Sequence, residues 1–214
     1  MRLPFTPEQF FGIFAEYNRA FWLVVVALWL ASDWVLVLAW RNPAGQSRTL
    51  SFLLGVLWLW NAVAYHALLF TRINPAAWLF SALFFVQALL FLRAGARGRV
   101  DYFSSTGTLR LIGLGLVSYS LAYPFLSVAL DHSYPATPTF GLPCPTAILT
   151  IGVLVTARGG VPLTLAIVPV FWGFVGGSAA VLLAVPPDYV LLGAGVLLTV
   201  VLVAQRLRRS LVIH

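Results

Sequence analysis

Lysine is absent from this chain, and cysteine and methionine each occur once in 214 residues. Without a lysine amine there is no retinal Schiff base, no pyridoxal-phosphate linkage and no Walker-type phosphate lysine. The single cysteine, Cys144, excludes an internal disulfide, and with it the quinone-linked disulfide-generating enzymes, which need cysteine pairs. Charge is scarce as well: 9% of residues are charged against 61% hydrophobic, at a mean hydropathy of +0.94. A soluble domain carries about 25% charged residues, so this chain has too little polar surface to cover a water-facing globule. Its composition is that of a polytopic membrane protein.

All 13 cations are arginines, and they sit at the ends of apolar runs. The net charge of +7 therefore reads as a topology signal and as anchorage to lipid headgroups, not as a nucleic-acid surface. Seven apolar segments can be drawn, at 21–40, 50–70, 76–92, 111–130, 139–157, 161–185 and 189–204. A spanning helix needs about 20 residues. The fifth segment starts among prolines and the seventh is only 16 residues long. If all seven cross, one side receives 10 arginines and the other 3; if the fifth does not, the tally is 7 against 6. The positive-inside bias favours seven spans, with the N-terminus outside and the C-terminus in the cytoplasm. The expected fold is all-α, a single integral-membrane domain over 1–214 built as a polytopic transmembrane helix bundle of seven, alternatively six, spans.

Thr6-Pro7-Glu8-Gln9 reads as a helix start. Residues 6–19 are expected to form a short interfacial helix, or else an extension of the first span. No cleavable signal peptide is expected, because Glu8 and Glu16 interrupt the approach to the first apolar run. The Arg93–Arg110 loop, rich in Gly, Ser and Arg, is expected to be mobile, and Pro186-Pro187-Asp188 reads as a tight hairpin.

The stretch from Asp131 to Thr146 has four prolines and carries no cation. It feeds into the fifth span through Pro143-Cys144-Pro145. Proline removes a backbone donor and disfavours helix before it, so the top of that span is expected to be unwound or re-entrant. Irregular backbone at membrane depth needs a protein or water-filled surround, and transporters place solute sites there. A rigid cap over the bundle is the plainer alternative. The topology puts His66, Asn74, Asp131 and His132 on the same outer side, so these four and Asp33 are the candidates for solute or ion binding. Asp33 is the one carboxylate deep inside a span. It is expected to face the bundle interior or water, either as a coupling group or as a neutral acid bonded to a neighbour such as Gln87. His66, His132 and Cys144 are candidate ligands of a soft metal, although their spacing is unlike a paired metal motif. His66 and His132 are also possible axial ligands of a haem. No cofactor is required by the sequence. Gly173 and Gly177 form a small-xxx-small pair suited to a membrane-protein partner or a homo-oligomer. Nothing supplies a base for an intramembrane serine, and no catalytic residue is assigned.

Three motifs together resemble a family of small bacterial inner-membrane proteins known only as a domain of unknown function. They are Ala64-Tyr65-His66, the run from Ile73 to Phe80, and the run from Pro138 to Thr146. The resemblance covers nearly the whole chain. It implies a multi-span protein and carries over no activity, cofactor or catalytic residue. The leading expectation is a transporter-like or small-solute-binding protein with an outward-facing polar site. The alternatives are a non-catalytic subunit of a larger membrane complex and a haem- or metal-binding membrane protein.

Overall fold

A computed structural model describes residues 4–98, 100–130 and 133–212. Its helices are α1 (Pro7–Arg41), α2 (Pro43–Trp60), α3 (Ala77–Arg97), α4 (Thr108–Ala129), α5 (Pro143–Val155), α6 (Leu163–Leu182) and α7 (Tyr189–Val212), with a π-helical segment, Asn61–Ala67, prolonging α2. No strand occurs among the described residues. Among the described residues six helices are long and apolar enough to cross a membrane, and α5 is the short exception. The all-α, multi-span expectation therefore stands.

The amino-terminal capping box forms: Thr6 Oγ1 accepts from Gln9 N while Gln9 Oε1 accepts from Thr6 N. From there α1 runs unbroken for 35 residues. The separate interfacial helix expected over 6–19 is thus not a separate element. Phe10, Phe14 and Tyr17 pack against Phe70 and Tyr65 and hold this end to the bundle as the first turns of α1.

Successive helices alternate in direction. Arg48 Nε donates to Gly95 O, Arg158 N to Asp101 O, and Val161 N to Gln205 Oε1, while Arg110 stacks on Trp40. These contacts gather the ends of α1, α3, α5 and α7 with the starts of α2, α4 and α6 on one face, here termed the basic face. The opposite face holds the start of α1, the 68–76 turn, the 133–142 stretch and the 183–188 turn.

Helix α5 lies at the centre. Every residue from Pro145 to Val155 is buried. Thirteen residues rise about 20 Å, short of the roughly 30 Å hydrocarbon layer. The preceding stretch, 133–142, continues toward the opposite face as irregular turns and bends. Asn18 Nδ2 donates to Pro135 O and Thr137 O, Thr139 Oγ1 donates to Asn18 Oδ1, and Tyr17 Oη donates to Gly141 O. One asparagine thus satisfies two carbonyls of an irregular segment that becomes buried from Thr137 toward α5. Gly141 is needed there: φ is +84°, and an added Cβ would stand 3.1 Å from Tyr17 Oη.

The basic end of α5 is closed tightly. Gly113 and Gly152 bring α4 and α5 together so closely that a Cβ on either would lie 2.6–2.8 Å from the other's carbonyl oxygen. Trp58 Nε1 donates to Thr150 Oγ1 at 2.9 Å, and Asn61 Nδ2 to Thr146 Oγ1 at 3.1 Å, which bonds α2 to α5. The loop beneath was expected to be mobile. Its described residues form a plug instead, with Val100, Tyr102 and Phe103 buried, Phe103 N bonded to Thr156 Oγ1 and Tyr102 N to Ser47 Oγ. Burial pushes the Tyr102 hydroxyl up to about 12, so it stays neutral beside Ser51.

Candidate functional site

The opposite end of α5 is built differently. A cavity of about 280 Å³ lies between the start of α1, the outer half of α6 and the top of α5. Its walls are mainly apolar, from Phe5, Phe10, Phe70, Phe80 and Val175, while Tyr123, Cys144 and Asp188 add polar atoms.

Asp188 was read only as part of a hairpin. It is buried, and Tyr123 Oη donates to its Oδ1. Tyr119, one helical turn earlier on α4, donates to Pro187 O at 2.7 Å. Two tyrosines on one helix face therefore hold the 186–188 turn and fix the carboxyl at the cavity. The Cys144 thiol sits close to both Asp188 and the Trp172 indole. A carboxyl at this depth is costly unless it is neutral or partnered, and the phenol partners one of its oxygens.

Behind the cavity wall lies His66. It is fully buried in the π-helical segment, ringed by Tyr65, Phe70, Phe80, Phe84 and Trp172 at centroid distances of 4.6–6.1 Å. Among the described residues neither ring nitrogen has a hydrogen-bond partner, and neither has Trp172 Nε1. The π geometry itself is held: Leu68 N reaches back to Val63 O, and Ser81 Oγ donates to Ala62 O. Such single-turn distortions recur at functional sites, and a buried unpaired donor or acceptor costs about 1–3 kcal/mol. His66 and the cavity-lining Trp172 keep three such atoms between them.

Of the residues singled out from sequence, Asn74 and Cys144 line the cavity, and His66 lies behind its wall against Trp172. Asn74 lines the cavity, and its Oδ1 accepts from Ala76 N, turning the chain into α3. Asp131 and His132 lie outside the described residues. Among the described residues no three His, Cys, Asp or Glu side chains gather as a metal site; the set His66, His132 and Cys144 includes a residue outside them.

Asp33 stands apart. It is half-buried on α1, roughly 28 Å along the helix axis from the cavity-lining Phe14. It shares its helix stripe with Trp29, which donates to Leu121 O, and with Trp40 under Arg110. Gln87, offered as its neutral partner, is engaged elsewhere. Pro169 in α6 has no N–H for Leu165 O, and Gln87 Nε2 supplies the missing donor at 3.0 Å.

The glycine pair also needs correction as a partner surface. A Cβ on Gly173 would lie 2.7 Å from Gly195 Cα, and one on Gly177 2.8 Å from Leu192 Cβ. Both glycines are occupied by α7 of the same chain.

Tyr123, Trp172 and Asp188 escaped sequence reasoning. The signal available for Asp188 was an acid in a turn that holds no cation, between two apolar runs.

A central short helix inside a ring of six long apolar ones, with a cavity at one end, defines a multi-pass membrane protein with an internal chamber. The chain belongs to a family of unknown function (DUF6064), whose model matches residues 7–212. No curated protein and no solved structure matches it.

Proposed function

We propose that this protein is a transporter-like membrane protein that binds a small solute in the cavity above α5. The observation that supports it is the cavity itself: an apolar chamber whose buried Asp188–Tyr123 pair adjoins Cys144. Apolar walls with a few convergent polar groups are the usual make-up of a ligand site. The chemistry favours a largely apolar solute with one hydrogen-bond donor or positive charge to meet the carboxyl, lying along the aromatic rings. Asn74 and His66 are supporting polar groups, His66 behind Trp172, while Asp33 is a separate coupling candidate. By the positive-inside bias the basic face is cytoplasmic, the membrane is a bacterial inner membrane, and the site opens away from the cytoplasm.

The test is ligand-dependent thermal stabilisation of the purified protein across a panel of apolar amines, alcohols and acids. The expected result is that amines or alcohols raise the unfolding temperature of the wild type and raise it little in Asp188→Asn. Equal shifts in both proteins, or no shift with any compound, would contradict it. Flux of the same compound in proteoliposomes, lowered in His66→Ala, separates transport from binding alone.

A further inference from the structure

A second groove lies at the basic face, between α6 and α7, and it is independent of the solute site. The two helices cross where Gly173 meets Gly195. On the basic side of that crossing they leave a groove of about 750 Å³. Thr199, Val203, Arg206 and Arg209 fall at spacings of three and four residues on α7, so they form one stripe along it. Across the groove stand Ile167 and Val170 of α6. The stripe thus runs from apolar, at membrane depth, to cationic at the helix end.

Neither Arg206 nor Arg209 pairs with a described residue, and both are exposed. Their surroundings offer them little acid, since Asp101 is the one acidic residue in the loops of the basic face. The groove floor is pinned by Gln205, whose Oε1 accepts from Val161 N, while Arg206 and Arg209 line the groove and stay exposed.

We propose that this groove holds an anionic phospholipid, its phosphate between Arg206 and Arg209 and an acyl chain along Ile167, Val170 and Val203. Charge complementarity selects this occupant. Two unpaired guanidinium groups above an apolar channel match a headgroup that is negative and bidentate for hydrogen bonding, joined to a hydrocarbon tail. A zwitterionic lipid would fill the channel with less charge for the arginines, and a free phosphate would leave the channel unused.

The experiment is native mass spectrometry of the full-length protein released from nanodiscs containing equal phosphatidylglycerol and phosphatidylcholine. The expected result is retained phosphatidylglycerol, reduced roughly tenfold in R206A/R209A. Arg158→Ala, an exposed arginine on the same face but outside the groove, should retain it. Val203→Trp fills the channel with both charges intact and should also release the lipid. Equal retention of the two lipids would overturn the proposal. So would equal loss in Arg158→Ala, unchanged retention in Val203→Trp, or displacement of the lipid by inorganic phosphate, which would mark a site for the anion alone.

Discussion

The two ends of α5 are made from similar residues and finished in opposite ways. Toward the basic face Thr150, Thr156 and Gly152 are zipped to Trp58, Phe103 and Gly113 by hydrogen bonds and backbone contact. Toward the other face the chain leaves the helix at Pro143, and the surrounding helices supply a void, a buried carboxyl and ring nitrogens with no described partner. Buried polar groups are nearly always satisfied; Gln87 Oε1 and Ser105 Oγ lie without a described partner away from the open end, but Trp172 Nε1 and the His66 nitrogens behind it stand at the cavity wall. A close-packed base keeps the framework rigid while the other end retains groups that a solute can complete.

Breaking the packed end should have the largest effect. Gly152→Val places side-chain atoms against the Gly113 carbonyl and the α4 backbone, and is expected to cost more than about 3 kcal/mol. The check is the yield of monodisperse protein and its midpoint in a detergent-denaturation series. Thr150→Val removes two hydrogen bonds at similar volume, the one from Trp58 Nε1 and the one to Thr146 O, and leaves Trp58 Nε1 unpaired. It should cost about 1–2 kcal/mol in the same assay.

The open end should respond with the reverse sign. His66→Phe puts an apolar ring into an aromatic cage in place of an imidazole that makes no hydrogen bond to a described residue. Stability is expected to rise by about 1 kcal/mol while solute binding falls. Loss of stability in His66→Phe would show instead that the imidazole is a satisfied part of the core. Asp188→Asn should shift stability least, under about 1 kcal/mol, because a carboxamide oxygen still accepts from Tyr123. Its effect should appear in binding.

Hydropathy exposed six of the crossings because each long helix needs an unbroken apolar run, and the arginines marked one face because they cluster at run ends. What hydropathy does not encode is which helix is central. The long α1 presents Trp22, Leu30 and Trp34 outward, whereas α5 is buried throughout, yet both read simply as apolar. The proline stretch before α5 was legible as irregular backbone, but its clamp, Asn18, lies more than a hundred residues away and has no local signature. His66 was legible because a histidine inside a span is unusual. Asp188 was hidden by Pro186-Pro187, which reads as a turn, and Gly173 by a motif that serves intrachain and interchain packing equally. Val100, Tyr102 and Phe103 were apolar signals overlooked inside a Gly- and Ser-rich loop.

Thiol accessibility compares the two ends directly. Cys144 is the chain's one cysteine, so a small uncharged maleimide reports on the cavity alone. The probe for the packed end is Thr150→Cys in a Cys144→Ser background. Modification of native protein at Cys144, slowed by a bound solute, together with protection of the position 150 thiol until denaturation, is the predicted result. Equal protection at both positions, or modification at 150 as fast as at 144, would contradict a chamber at one end of a sealed core.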